Sequence, residues 1–271
     1  MLEPSVRLRR AVVNGNLSAV RRLVRRYPGL LENVDAKNGW TSLHYAGYHG
    51  HYLVCVFLVQ QGHDQEEISL DHGRNTPLHL AASQNHEQTV HFLAQHIPRC
   101  LDWRNRDWET ALLVAARHGH DPCINLLLDF GADIDKGNAE GNRPIHVAAA
   151  YGHIKTLRTL VDRNADVQTP NAEGWRPVQY CSTYQVQDFL QSLIHEKAES
   201  TKKHQAFFKS PKPTPHSPPP KPPPKDAPAT PPPPPLPPPQ FQQPISPRST
   251  PRSRLLDVSV ANVHSPRRTS D

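Results

Sequence analysis

The chain has 271 residues, 30 of them proline, and a formal net charge of +6 with its histidines neutral. That length suffices for one sizeable core or two, but most of the prolines follow Ser210 and exclude packed helix or sheet there. From Glu196 onward twelve Lys/Arg face five Asp/Glu, whereas everything before carries nineteen against twenty. The basic excess therefore belongs to the tail, and a strong positive field over the folded part is excluded.

In chain order, MLEPSVRLRR has no apolar leader, and no later run is long enough to span a bilayer. Cys55, Cys100, Cys123 and Cys181 show no paired spacing, which speaks against a disulfide framework or zinc knuckle and for a reducing compartment. A cytoplasmic protein is expected. The segment AVVNGNLSAVRRLVRR carries a helical phrase that recurs further along the chain, and Arg7, Arg9, Arg10, Arg21, Arg22, Arg25 and Arg26 form a cationic cap at the N-terminal end. Such charges often serve solubility alone; an acidic partner or an anionic membrane is the functional alternative. No aromatic residues interleave for base stacking, so nucleic acid is the weaker reading.

Next comes a phrase that recurs: TSLHYAG (Thr41–Gly47), TPLHLAA (Thr76–Ala82), TALLVAA (Thr110–Ala116), RPIHVAA (Arg143–Ala149) and, more loosely, RPVQYCS (Arg176–Ser182). The starts are 35, 34, 33 and 33 residues apart, the period of a stacked repeat. In each, Thr or Arg precedes a short helix, with Pro suited to its first position. Gly50, Gly119 and Gly152 sit where that helix must reverse. A second phrase follows, such as RHGHDPCINLLLDFGADI, in which Ile124, Leu127 and Leu128 predict another helix. One such hairpin cannot bury its own apolar face; stacking can.

These phrases resemble the ankyrin repeat, from Ser5 to about Ile194. The resemblance implies an all-α solenoid of about five to six helix–turn–helix repeats including caps, with projecting turns. The expected domain is 1–195, with repeats roughly 5–35, 36–70, 71–104, 105–137, 138–170 and 171–195. The first unit lacks the TPLH phrase and the last has Gln179 in place of its histidine, as terminal units would. The resemblance also assigns His44, His79 and His146 a structural role, hydrogen-bonding between neighbouring units. A shared metal is excluded by helix spacing of about 8–10 Å, and Leu113 replaces the histidine once.

Other histidine patterns mislead. In HEQTVH the histidines (His86, His91) are five apart, not the four a zinc-protease helix needs. Asp64, Glu66, Glu67 and Asp71 read as a solvated charge run. No phosphate loop, nucleophile elbow or paired-carboxylate arrangement is visible, so no enzyme, cofactor, metal or small-molecule substrate is expected.

Binding residues in a solenoid are sought at turn tips, which places candidates at Trp40, Asn75, Trp108, Glu109, Asn142 and Trp175, joined by Arg21, Arg22, Arg25 and Arg26. Trp108 stands where the repeat usually has glycine. Trp40 and Trp175 read equally as interface anchors or as rings folded over the adjacent turn; Trp103 reads as packed.

Residues 196–271 are expected to be disordered, proline-rich and basic. Lys212-x-x-Pro215-x-x-Pro218, Pro220-x-x-Pro223-x-Lys225 and PPLP with Leu236 suit SH3, WW or profilin-type partners, although a spacer needs no partner. Ser246, Thr250, Ser265 and Ser270 are phosphorylation candidates.

The opening residues RLRRAV, GNL, RRL, NGW, SLHYA and HGHYLVCV give a narrower likeness. They resemble the fungal ankyrin-repeat subunits of target of rapamycin complex two. That implies a non-catalytic scaffold, accessory to a kinase assembly and peripheral to the plasma membrane through it. An independent cytoplasmic adaptor recruiting partners through its tail remains open, as does a nuclear transcriptional regulator.

Overall fold

A computed structural model of the chain describes residues 3–65 and 67–208, the side chains of 201–208 excepted. The described residues form helices joined by turns, with no strand among them. Ten helices come in pairs: α1 (Pro4–Val13) and α2 (Leu17–Arg26), α3 (Ser42–Tyr48) and α4 (Tyr52–Gln60), α5 (Pro77–Ser83) and α6 (Glu87–His96), α7 (Ala111–His118) and α8 (Asp121–Asp129), α9 (Pro144–Tyr151) and α10 (Ile154–Asp162). First helices pack on first helices from α1 through α3, α5 and α7 to α9, and second helices form a parallel outer row.

Small residues set the inner row. Ala46, Ala81, Ala82, Ala115, Ala116, Ala148 and Ala149 are fully buried, so helix backbones approach closely, while Leu43, Leu78, Leu112 and Ile145 fill the seam. The outer helices contribute Val54, Leu58, Val90, Leu93, Ile124, Leu127, Leu157 and Leu160, all buried. No pair could hide these surfaces alone, and the stack buries them as one core.

The sixth unit departs from the pattern. Its first helix shrinks to a 3-10 turn, Pro177–Tyr180, and Thr183 then caps α11 (Tyr184–Phe208) by accepting from the Val186 amide at 3.3 Å. Val186, Leu190 and Leu193, at helical spacing, bury one stripe of α11, which packs on α10. The helix runs beyond residue 195, where the sequence pattern placed the end of the repeats. The proline ligands (Lys212 to Leu236) and the phosphorylation candidates (Ser246, Thr250, Ser265, Ser270) lie outside the described residues.

Two sets of histidine rungs tie the pairs together. His44 Nε2 donates to the Asn75 carbonyl at 2.9 Å, His79 Nε2 to Glu109 at 3.0 Å and His146 Nε2 to Trp175 at 3.1 Å, each reaching forward one repeat. A second set reaches back. His51, His86, His120 and His153 donate through Nε2 to the carbonyls of Val13, Tyr48, Ser83 and Arg117 at 2.8 to 3.0 Å. In sequence these four follow the turn between the two helices of a pair. Their rings also account for the adjacent glycines: a Cβ on Gly50 would lie 2.4 Å from His86 Nδ1, and Gly50 has φ +69° besides.

Candidate partner-binding groove

Five finger-like turns project beside the inner helices, and each is built around one side chain. Asn105 Oδ1 accepts from the amides of Asp107 and Glu109, both at 2.9 Å. Asn138 does the same for Glu140 and Asn142, and Asn171 for Glu173 and Trp175. Asp35 and Asp71 hold the first two fingers through the amides of Lys37 and Asn75. Neighbouring fingers are linked by side chains: Asn105 Nδ2 donates to Asn75 Oδ1 at 3.0 Å, and Asn171 Nδ2 to Asn142 Oδ1 at 2.8 Å.

This ladder corrects three expected contact residues. Asn142 and Glu109 are buried and Asn75 half-buried. Asn75 and Asn142 accept the links just described. Glu109 pairs with Arg117, and burial raises its carboxyl above the usual range against the pull of that guanidinium. These three side chains are held against the stack by a neighbour's donor, Asn105 for Asn75, Asn171 for Asn142 and Arg117 for Glu109. The acidic run is corrected as well. Asp64 is buried, accepting from Ser69 and bonded at 2.8 Å to His63, and Asp71 is occupied within its finger.

The tryptophans divide. Trp40 folds back: its ring lies edge-on to Tyr45 at 4.9 Å and near Tyr48 at 5.1 Å, and its indole N–H donates to Asp71 at 3.2 Å. Trp103 is half-buried. Trp108 and Trp175 remain 54% and 48% exposed. Trp108 occupies the finger tip held by glycine at Gly39, Gly141 and Gly174, and has φ +61° like them. Such a conformation costs a bulky L-residue about 1–2 kcal/mol. Arg104 sits 5.0 Å over its ring.

Between the third and fourth fingers and α7/α9 lies a recess of about 450 Å³, lined by Glu109, Arg117, Asn142, Val147, Tyr151 and Tyr180 among others. Tyr151 is 59% exposed, and Arg117 Nε has no hydrogen-bond partner. The recess thus combines an exposed amphipathic ring with a part-exposed guanidinium paired with Glu109. Sequence reading passed over Arg117, Tyr151 and Tyr180. Their signal was positional: Arg117 and Tyr151 stand just before the turn glycines Gly119 and Gly152, on the last turn of an inner helix. Arg21, Arg22, Arg25 and Arg26 lie apart from the recess, on α2 in the outer row.

The described residues contain no group of three or more His, Cys, Asp or Glu placed to hold a metal. His86 and His91 face different partners, the Tyr48 carbonyl and the Phe130 ring. Burial pushes the thiols of Cys55, Cys100 and Cys123 up to about 12. No described helix is long and apolar enough to cross a membrane.

Stacked helix pairs, projecting fingers and histidine rungs define a solenoid repeat protein. The family model described as ankyrin repeats (3 copies) matches residues 8–102, 62–138 and 112–204, and the chain belongs to that family. It is similar to the Saccharomyces cerevisiae target of rapamycin complex 2 subunit AVO2, 46% identical over 144 residues, covering 53% of this chain and 34% of the yeast protein. Mouse inversin is 30% identical over 135 residues, covering 49% of this chain and 12% of its own length. Human ankyrin repeat domain-containing protein 63 is 34% identical over 102 residues, or 36% and 26% of the two chains. The chain thus spans about a third or less of these relatives.

Proposed function

We propose that the chain is a non-catalytic interaction subunit whose groove holds an extended segment of another protein, and that it serves a target of rapamycin complex 2 assembly in the cytoplasm. The observation that carries the second step is the 46% identity with the yeast subunit over 144 residues. Half-exposed aromatic rings supply large contact area at small entropic cost, which supports Trp108, Tyr151 and Trp175 as anchors. Arg117 supplies direction. Function here is contact rather than chemistry: the one buried carboxylate of the recess, Glu109, is committed to Arg117.

The test is affinity purification of the full chain from fungal cells, with quantification of the kinase subunit. The wild type retains the kinase, and Trp108→Asn with Tyr151→Ala loses it at least about ten-fold, as hot-spot truncation does. Kinase missing from the wild-type sample refutes the assembly. Kinase retained equally by the variant refutes the groove.

A further inference from the structure

The arginines of the first helix pair find no use in the groove. Between Pro4 and Leu31 there are seven arginines and no Asp or Glu. Arg9 is paired with Asp35 at 2.9 Å. Arg7, Arg10, Arg21, Arg22, Arg25 and Arg26 are all exposed, and among the described residues none makes an ion pair. Solubility would be served equally well by mixed charges; this patch has one sign only.

Its geometry narrows the occupant. On α2, Val20, Leu23 and Val24 face the core, which leaves Arg21, Arg22, Arg25 and Arg26 on the outward arc. Arg21 and Arg26 diverge by about 140° at 100° per residue, so the guanidinium groups spread instead of converging on one carboxylate or peptide. Long flexible stems allow such an arc to lie against a plane. The neighbouring outer helix, α4, has no charged residue. It exposes Leu53 (62%) and Tyr52 (37%), and Phe57, one turn from Leu53, lies 5.6 Å beneath Arg21. Spread cations beside a projecting leucine and tyrosine match a surface with diffuse negative charge above an apolar layer.

We propose that the outer face of α2 and α4 docks on a membrane of anionic phospholipids, Arg21, Arg22, Arg25 and Arg26 meeting the headgroups and Leu53 the acyl boundary. The face is separate from the groove, so the chain can hold a protein and a bilayer at once.

Sedimentation of the full chain with phosphatidylserine/phosphatidylcholine vesicles, and with phosphatidylcholine alone, tests this. The wild type binds the anionic vesicles and loses them as salt rises. Arg21→Gln/Arg22→Gln/Arg25→Gln/Arg26→Gln, which keeps good helix formers, weakens that binding by about ten-fold or more. Leu53→Gln weakens it less and keeps the salt dependence. Circular dichroism and melting confirm that each variant is folded. If the quadruple variant binds like wild type, the cations of the tail carry the attraction and the proposal falls. It falls equally if wild type ignores anionic vesicles while an acidic peptide binds this face.

Discussion

The Nε2–H of His79 donates to the carbonyl oxygen of Glu109, 3.0 Å away in the next repeat, while its Nδ1 accepts from the Thr76 amide and hydroxyl at 3.3 and 2.9 Å. One neutral imidazole thus closes the start of its own helix and fastens the finger of its neighbour. Stability in a stacked chain is a sum of units and interfaces, and this ring belongs to both.

Replacing it should therefore be costly. His79→Leu leaves the Thr76 hydroxyl and amide without their acceptor and the Glu109 carbonyl without its second donor, all in a buried site. A loss of about 2–4 kcal/mol is expected from the stranded groups, read as a lower urea midpoint. A change below about 0.5 kcal/mol would show the rung to be idle.

The same rungs set a pH dependence. Burial lowers His79 to about 4 and moves His44 and His146 in the same direction. Between about pH 6.5 and 4 the unfolded chain then binds more protons than the folded one, so stability is full above about 6.5 and falls as pH drops. The His79 shift alone corresponds to about 3 kcal/mol. Asp166, lowered to about 2 chiefly by the Thr169 hydroxyl, loses its contribution only below the ordinary carboxylate pKa. Urea titrations from pH 7 to 4.5 should show the histidine-dependent decline in wild type and a shallower slope in His79→Leu.

Trp108 predicts a divergence between stability and binding. Asn tolerates the left-handed backbone that strains an indole, so Trp108→Asn should keep the melting temperature within a few degrees of wild type, or raise it. Partner retention should nevertheless fall. A large drop in melting temperature would make Trp108 a packing residue.

Thiol labelling reports the core directly. Cys55, Cys100 and Cys123 are buried with pKa values near 12, whereas Cys181 is half-buried. In native buffer one thiol should react with a disulfide reagent within minutes and three only after unfolding. Four fast thiols would contradict the packing of α4, of α8 and of the 3-10 turn after α6, Pro98–Cys100.

Much of this was legible because stacked units repeat their solutions. The phrase recurring at 33–35 residues marked the inner helices, and the family resemblance implied the forward rungs. Side-chain direction was not legible: Asn75, Glu109 and Asn142 occupy the same register as Trp40 and Trp175, yet only Trp175 among the five is exposed. That choice depends on which neighbour supplies a donor, as Asn105 does for Asn75 and Asn171 for Asn142. Asp64 was misread because a buried acid needs His63 and Ser69 folded around it, which composition does not reveal. The backward rungs were visible as a recurring His at 51, 86, 120 and 153, but their carbonyl targets appear only once the inner helices are stacked.

Hydrogen exchange on the full chain, alone and mixed with the kinase assembly proposed as its partner, tests the central claim most directly. Binding through the groove predicts slowed exchange in the fingers at 105–109, 138–142 and 171–175 and at the end of α9. Protection confined to the outer helices α6, α8 and α10, or no protection of the fingers at all, would contradict it.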